Sequence, residues 1–344
     1  MVNDMKKQYI NFLKILSILF VINIHLLSKA WNQAIPTSVN FKSLTFIDIS
    51  FLVCVPIFAM CSGNIFLNRK DSNKKIIFKY ALRIYLIFIL FTTLYKVADL
   101  VFYQNIKINA KLLFIITKDA ILLRSIYHLW YLRVVLAMYL SIPVFKWLFN
   151  VKSKYIDHII LLLIIILVKV IPIWFHSGWF LTYIGIFGFI IYFYLGYYLD
   201  KYFNKKYLIL LIPISLFSYY YTFTKTISSS VAFGSAVVDH MQYLSYNIIF
   251  ISVTVFLFVR WFKDLFENKK IGCYLNFLTS YNFYVYLFHG FTIGIIAKLN
   301  IINIYKYNHV LLIYVYGLLT YIITLIYVIP IKKIINKLKV VEKS

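Results

Sequence analysis

The sequence predicts an all-α, polytopic membrane protein with about ten transmembrane helices and both termini in the cytoplasm. Three observations lead there. First, 62% of the residues are hydrophobic and only 14% are charged, with a mean hydropathy of +0.83; soluble domains are nearer half apolar and about a quarter charged. Second, the apolar residues gather into runs long enough to cross a bilayer. Third, lysine and arginine alternate between the segments that join those runs. No joining segment is long enough for a soluble domain, so residues 1–344 read as one membrane domain.

A crossing helix needs roughly 20 mostly apolar residues. Ten stretches meet that need: 9–31, 46–67, 77–101, 127–149, 156–175, 179–199, 206–223, 242–262, 273–297 and 309–331. The first follows Met5-Lys6-Lys7, as the core of a signal peptide would. It runs on to Trp31 without a small-x-small cleavage site and reads as a retained span. The fifth and sixth are joined only by His176-Ser177-Gly178, and Pro213 interrupts the short seventh. The runs are about twice the length of barrel strands and do not alternate polar with apolar residues, so they read as helices. With the N-terminus inside, the cytoplasmic segments carry 20 Lys and Arg residues and the outer segments 7. The excess repeats at each loop, from Arg69, Lys70, Lys74, Lys75 and Lys79 to Lys332, Lys333 and Lys337. An even number of spans returns the C-terminus to the cytoplasm.

Composition also removes function classes. The formal charge of +25 would suggest nucleic acid in a soluble chain, but here it sits in short segments between apolar runs, the pattern of membrane loops. Three cysteines, Cys54, Cys61 and Cys273, form no C-x-x-C pair and read as small core residues. Neither a disulfide framework nor a metal site is expected. No P-loop, H-E-x-x-H or G-x-S-x-G motif occurs.

Polar residues inside the spans are costly, so they are the informative ones. In the first span Lys14 and His25 are eleven residues apart. At about 100° per residue they lie nearly in line, roughly 16 Å apart along the axis, with Asn11 and Ser28 near the same stripe. Two readings fit these residues. Lys14 snorkels and His25 is a hydrogen-bonded packing residue, or the stripe is a functional face. The other candidates carry similar pairs of readings. Trp130 is an interfacial anchor or stacks on a sugar ring. His289, near the outer end of the ninth span, is a satisfied interface histidine or lines a site. Arg133 needs a partner, with Asp48 and Asp119 within reach in sequence terms. Ser62-Gly63 permits close helix packing.

Four segments resemble the acyltransferase family 3 membrane proteins, which O-acylate bacterial cell-surface sugars. They are Phe12-Leu13-Lys14 through Asn23-Ile24-His25, like the family's Arg-x10-His helix; Val55-Pro56-Ile57-Phe58 through Ser62-Gly63; His128-Leu129-Trp130-Tyr131-Leu132 leading to Pro143; and Ser280 through Tyr286-Leu287-Phe288-His289. They occur in the family's order and cover essentially the whole chain. The resemblance implies that His25 is the catalytic histidine. Lys14 stands where the family has arginine, which keeps the charge but not the bidentate fork. Arg83 matches the second arginine of the family's Arg-x-x-Arg; Tyr80 occupies the place of the first, with Lys79 as a stand-in.

The activity implied is transfer of an acyl group, most simply acetyl, from cytoplasmic acetyl-CoA or another acyl-CoA to a hydroxyl of a surface polysaccharide or lipid-linked glycan. Lys14, Lys79 and Arg83 would hold the donor's phosphates. His25 would act as general base, or as the nucleophile of an acyl-histidine; Trp130 and His289 would meet the acceptor. Membrane lipids are the other partner; no nucleic acid and no metal are expected. The alternative is an exporter or flippase of polysaccharide or lipid-linked sugar. That reading calls for paired, Gly- or Pro-broken helices in two matching halves, and the sequence shows no such pairing. A purely structural role leaves the Lys14–His25 stripe unexplained.

Overall fold

The computed structural model describes residues 7–124, 127–151, 153–170, 185–299 and 310–341. Among them every regular element is a helix and no strand occurs. In chain order the helices are α1 Gln8–Gln33, α2 Val39–Phe51, α3 Cys54–Phe66, the single turn α4 Asn73–Lys75 with a π-helical continuation Ile76–Ala81, α5 Leu82–Phe102, α6 Ala110–Ile121 and α7 Trp130–Phe149. They continue with α8 Ile156–Ile165, α9 Ile190–Lys201, α10 Lys205–Phe233, α11 Tyr246–Trp261, α12 Lys269–Thr279, α13 Asn282–Lys298 and α14 Val310–Val341.

Among the described residues, seven helical segments are long and apolar enough to cross a membrane: Gln8–Gln33, Val39–Phe66, Asn73–Phe102, Trp130–Phe149, Lys205–Phe233, Asp239–Trp261 and Leu311–Lys337. Each overlaps an expected span. Of the remaining expectations, 156–175 starts as α8 and a π-helical turn, Ile166–Val170, and 179–199 ends as α9. Residues 171–184, with the His176-Ser177-Gly178 turn, lie outside the described residues. The stretch 273–297 is two helices rather than one. Its break falls at Ser280-Tyr281, where the Ser280 amide bonds back to Asn276 O and Phe277 O and the Tyr281 amide to Leu278 O. Lys332 Nζ donates to the Ser280 carbonyl at 2.7 Å, so the break's freed acceptor is met by a cation from α14.

Local chemistry sets the helix ends. Ser38, Ser72, Asn109, Asn204, Ser245 and Asn268 each accept a first-turn backbone N–H. The chain pauses at Leu52-Val53 between α2 and α3 because Pro56 brings no N–H for the carbonyl of Leu52 and its ring crowds that carbonyl. Pro213 does not end its helix. α10 continues to Phe233, ten residues past the expected edge, and stops at Gly234 in the left-handed region (φ +70°). In its polar second half Thr222 and Thr224 hydrogen-bond to carbonyls one turn back, so these hydroxyls need no partner outside the helix.

The described chain divides into two units. The first comprises Met1–Cys61 and Tyr202–Ser344. There α1 packs against α2, α11, α12, α13 and α14, and its Leu13, Ile18, Ile22 and Leu27 are fully buried. α10 lies along α11 and α2. Its buried face is a file of small hydroxyl residues, Ser218, Thr222, Thr226 and Ser230, which lets helices approach closely where no hydrophobic force draws them together. Outward faces are the reverse. Leu311, Leu318 and Ile326 on α14 and Leu210, Leu216 and Phe217 on α10 are more than half exposed, as lipid-facing side chains are.

The second unit, Ser62–Lys201, holds α5 against α6 and α7, and α7 against α8 and α9. Gly63 at the end of α3 lies directly on α9: a Cβ there would fall 1.6 Å from the Phe193 carbonyl oxygen. Beside it Asn64 Nδ2 donates to Gly196 O at 3.2 Å. The Ser62-Gly63 pair is therefore a close-packing site, as its sequence suggests. Asp157 on α8 is buried, and it accepts from Tyr194 OH (3.3 Å) and pairs with Lys201. In the loop before α4, Asp71 accepts from Lys75 and from Tyr80 OH (3.0 Å). The Lys75 hydrogen bond, foremost, holds its carboxyl below the usual carboxylate range.

Arg133 does not take the partner expected for it from Asp119. Asp119 pairs with Arg124 at 2.8 Å, and Arg133 Nη1 donates to the Leu123 carbonyl at 3.3 Å. Leu123 closes α6 with φ +59°, a region a β-carbon resists by about 1 kcal/mol. Leu123→Gly is expected to stabilise the protein by about that amount, read as a higher midpoint in thermal unfolding of the detergent-solubilised protein. A lower midpoint would mean that the leucine side chain contributes more than the backbone strain costs.

Candidate active site

The site grows from α1. Because α1 is unbroken from Gln8 to Gln33, Lys14 and His25 keep the three-turn spacing read from the sequence. Both are half-buried. Lys14 lies near Cys61 of α3. The two outer members of the stripe have structural work. Asn11 Nδ2 donates to Asn276 Oδ1 on α12 at 2.9 Å, and Ser28 Oγ donates to the His25 carbonyl at 3.2 Å.

His25 meets His289 of α13. Their rings are 5.4 Å apart at an interplanar angle of 33°, and a ring nitrogen of each lies within 4.8 Å of the other's. His289 is fully buried. Its Nδ1 lies 2.7 Å from the Tyr286 carbonyl oxygen. A carbonyl only accepts, so Nδ1 carries the proton and, in the neutral ring, Nε2 carries the lone pair. Two residues before His25, Asn23 presses on α14 at Gly317: a Cβ on Gly317 would fall 1.8 Å from Asn23 Oδ1. α1 thus turns Asn23 to α14 and, half a helical turn on, His25 to α13.

The remaining expected site residues belong to the second unit. Trp130 opens α7, half-buried, with its ring 5.6 Å from Phe189 and 6.2 Å from Tyr131. Lys79 sits in the π-helical turn and Arg83 in the first turn of α5, four residues on and therefore on one face. Both are exposed, beside exposed Phe78, Leu82 and Leu86. Tyr80 stands where the family has arginine, and its contacts are structural. Its hydroxyl holds Asp71, and its ring packs 5.7 Å from Phe66 and 6.2 Å from Tyr139. Of the cysteines, Cys54 and Cys61 are buried, whereas Cys273 is exposed on α12 and is not a core residue.

A family described as an acyltransferase domain has a model that matches residues 7–329. The chain belongs to acyltransferase family 3. The match takes in α1 through most of α14, including every candidate residue named above. No curated protein and no solved structure matches the chain. With its long apolar helices, this family 3 protein is a multi-pass membrane acyltransferase. Acyl transfer needs a base to take a proton from the acceptor. In the first unit of this acyltransferase two imidazoles, His25 and His289, adjoin.

Proposed function

We propose that the protein transfers an acyl group, most simply acetyl, from cytoplasmic acyl-CoA to a hydroxyl of an extracytoplasmic or lipid-linked glycan, with ten spans and both termini in the cytoplasm. The observation that carries this reading is His25: an imidazole in the second half of an unbroken apolar helix, beside a second buried imidazole, in an acyltransferase chain. His25 takes the proton of the sugar hydroxyl as its oxygen attacks the thioester carbonyl carbon. The tetrahedral intermediate collapses, the carbon–sulfur bond breaks, and the thiolate leaves with the proton returned by the imidazolium. His289, its Nδ1 anchored on a backbone carbonyl, fixes the polar environment in which His25 works and meets the acceptor. Lys14, Lys79 and Arg83 contact the donor's phosphates, and Trp130 stacks on a sugar ring.

Deletion of the gene tests the reading. NMR of purified surface glycan is expected to lose its O-acyl signals on deletion and to regain them with the wild-type gene but not with His25→Ala. Unchanged O-acylation with less surface glycan would replace acyl transfer by glycan export.

A further inference from the structure

Asp48 is the one acidic side chain in the Val39–Phe66 span. It is 8% exposed, and its Oδ1 is buried without a hydrogen-bond partner among the described residues. Leaving a buried carboxyl oxygen unmatched costs on the order of 1–3 kcal/mol, and more when it is charged. A bound ligand is one source of the missing donor.

Its surroundings identify the ligand's chemistry. Asp48 lies within electrostatic range of Cys54 and of Tyr219 on α10. The Tyr219 hydroxyl lies toward the other side of α2, where it shares a 2.9 Å hydrogen bond with Ser50 Oγ and donates to the Phe46 carbonyl. On the face of Asp48 itself, aromatic rings meet α2 one turn to either side: Trp31 bonds to Thr45, and Tyr314 of α14 packs on Phe51 at 5.3 Å. A buried acceptor oxygen between flanking rings is what a polyhydroxylated ring needs: a hydrogen bond at its edge and apolar contact on its face.

The depth is that of the histidine pair. Near one end of α1, Trp31 Nε1 donates to Thr45 Oγ1 of α2 at 2.8 Å. Nearer the other end, Phe20 packs on Phe51 at 5.2 Å. These two contacts bracket both His25 and Asp48, so the carboxyl lies at the level of the imidazole, on the neighbouring helix.

We propose that Asp48 is a binding residue for the acceptor sugar, its Oδ1 accepting a hydrogen bond from a sugar hydroxyl other than the one acylated. The assignment rests on the glycan-acylation reading above. The test uses purified protein, acetyl-CoA, and non-acylated polysaccharide isolated from cells lacking the gene. Asp48→Leu removes both acceptor oxygens at nearly constant size. Its KM for polysaccharide is expected to rise about ten-fold or more, with the KM for acetyl-CoA unchanged. Equal KM values for polysaccharide in variant and wild type overturn the assignment, as does a loss confined to kcat or shared by the acetyl-CoA KM. A wild type that acylates no polysaccharide overturns the glycan reading, and the Asp48 assignment with it. If Asp48→Leu fails to fold, Asp48→Ala carries the same comparison, because it too removes both acceptor oxygens. An unchanged polysaccharide KM in Asp48→Ala then overturns the assignment.

Discussion

His25→Gln is expected to lower the rate of acyl transfer by about 10²–10⁴-fold while leaving insertion and folding intact. Glutamine matches histidine in polarity and roughly in size. It can still hydrogen-bond to a neighbour, but it has no basic nitrogen. His25 is half-buried and contributes to the α1–α13 contact through its ring rather than as a fully enclosed core group. A substitution that retains volume therefore perturbs packing little. The rate loss should lie in kcat, since proton removal belongs to the transition state and not to substrate binding. Initial rates with acetyl-CoA and the non-acylated polysaccharide measure this. Wild-type kcat in a correctly inserted His25→Gln protein would remove His25 from the chemistry. Rapid quenching with radiolabelled acetyl-CoA separates the two covalent possibilities: label retained on the wild-type protein, and lost in the variant, marks an acyl-histidine, whereas unlabelled protein fits direct transfer.

Gly63→Val should be strongly destabilising. A Cβ at this position would fall 1.6 Å from the Phe193 carbonyl oxygen and 2.6 Å from its carbonyl carbon. Those atoms are backbone, so no rotamer change relieves the overlap; α3 and α9 must separate. Separation also breaks the Asn64–Gly196 hydrogen bond one residue away. Overpacking with a forced backbone shift costs about 3 kcal/mol, and the lost buried hydrogen bond adds roughly 1. Thermal unfolding of the solubilised protein, read by size exclusion after heating, is expected to show a large drop or no folded protein at all. Gly185→Ala, in the same unit, is the control. Among the described residues nothing lies within 4 Å of the β-carbon it would add, so its midpoint should match the wild type. Similar midpoints for Gly63→Val and wild type would mean that the α3–α9 approach is not part of the stable core.

Much of the architecture is legible because hydropathy records where a helix must be lipid-soluble, and the long runs from Gln8 and Trp130 need nothing else. Hydropathy is silent where polarity and helicity part company. The second half of α10, Thr224 to Ser230, reads as loop by composition, yet it is helical: α10 packs along α11, Thr226 and Ser230 are buried, and the Thr224 hydroxyl bonds back to the Tyr220 carbonyl. The Ser280-Tyr281 break is hidden for the opposite reason: the residues on both sides are apolar enough to suggest continuity, and the lysine that satisfies the break is fifty-two positions away. His25 stands out as a polar residue in an apolar run. Its neighbour His289 has no local signal that ties it to α1, and only the shared pattern of segments pointed there. Arg133 shows how charge alone misleads. The sequence offers two carboxylates, whereas the guanidinium settles on the backbone carbonyl of Leu123.

The break before α13 has a consequence for distance. α13 has 17 residues, so it is about 26 Å long, shorter than the roughly 30 Å of a bilayer's hydrocarbon. His289 is nine residues beyond Ser280, about 13 Å along the axis from the point where Lys332 binds the broken helix. For the donor proposed above, this turns permeation into a matter of reach. The phosphates of the nucleotide, whose transfer into hydrocarbon would be prohibitive, can remain at the end marked by Lys332 and Lys333. Only the slender uncharged arm and its acyl group must travel inward to the histidines. A carrier without such an arm, such as an acyl phosphate, would have to bring its charge along.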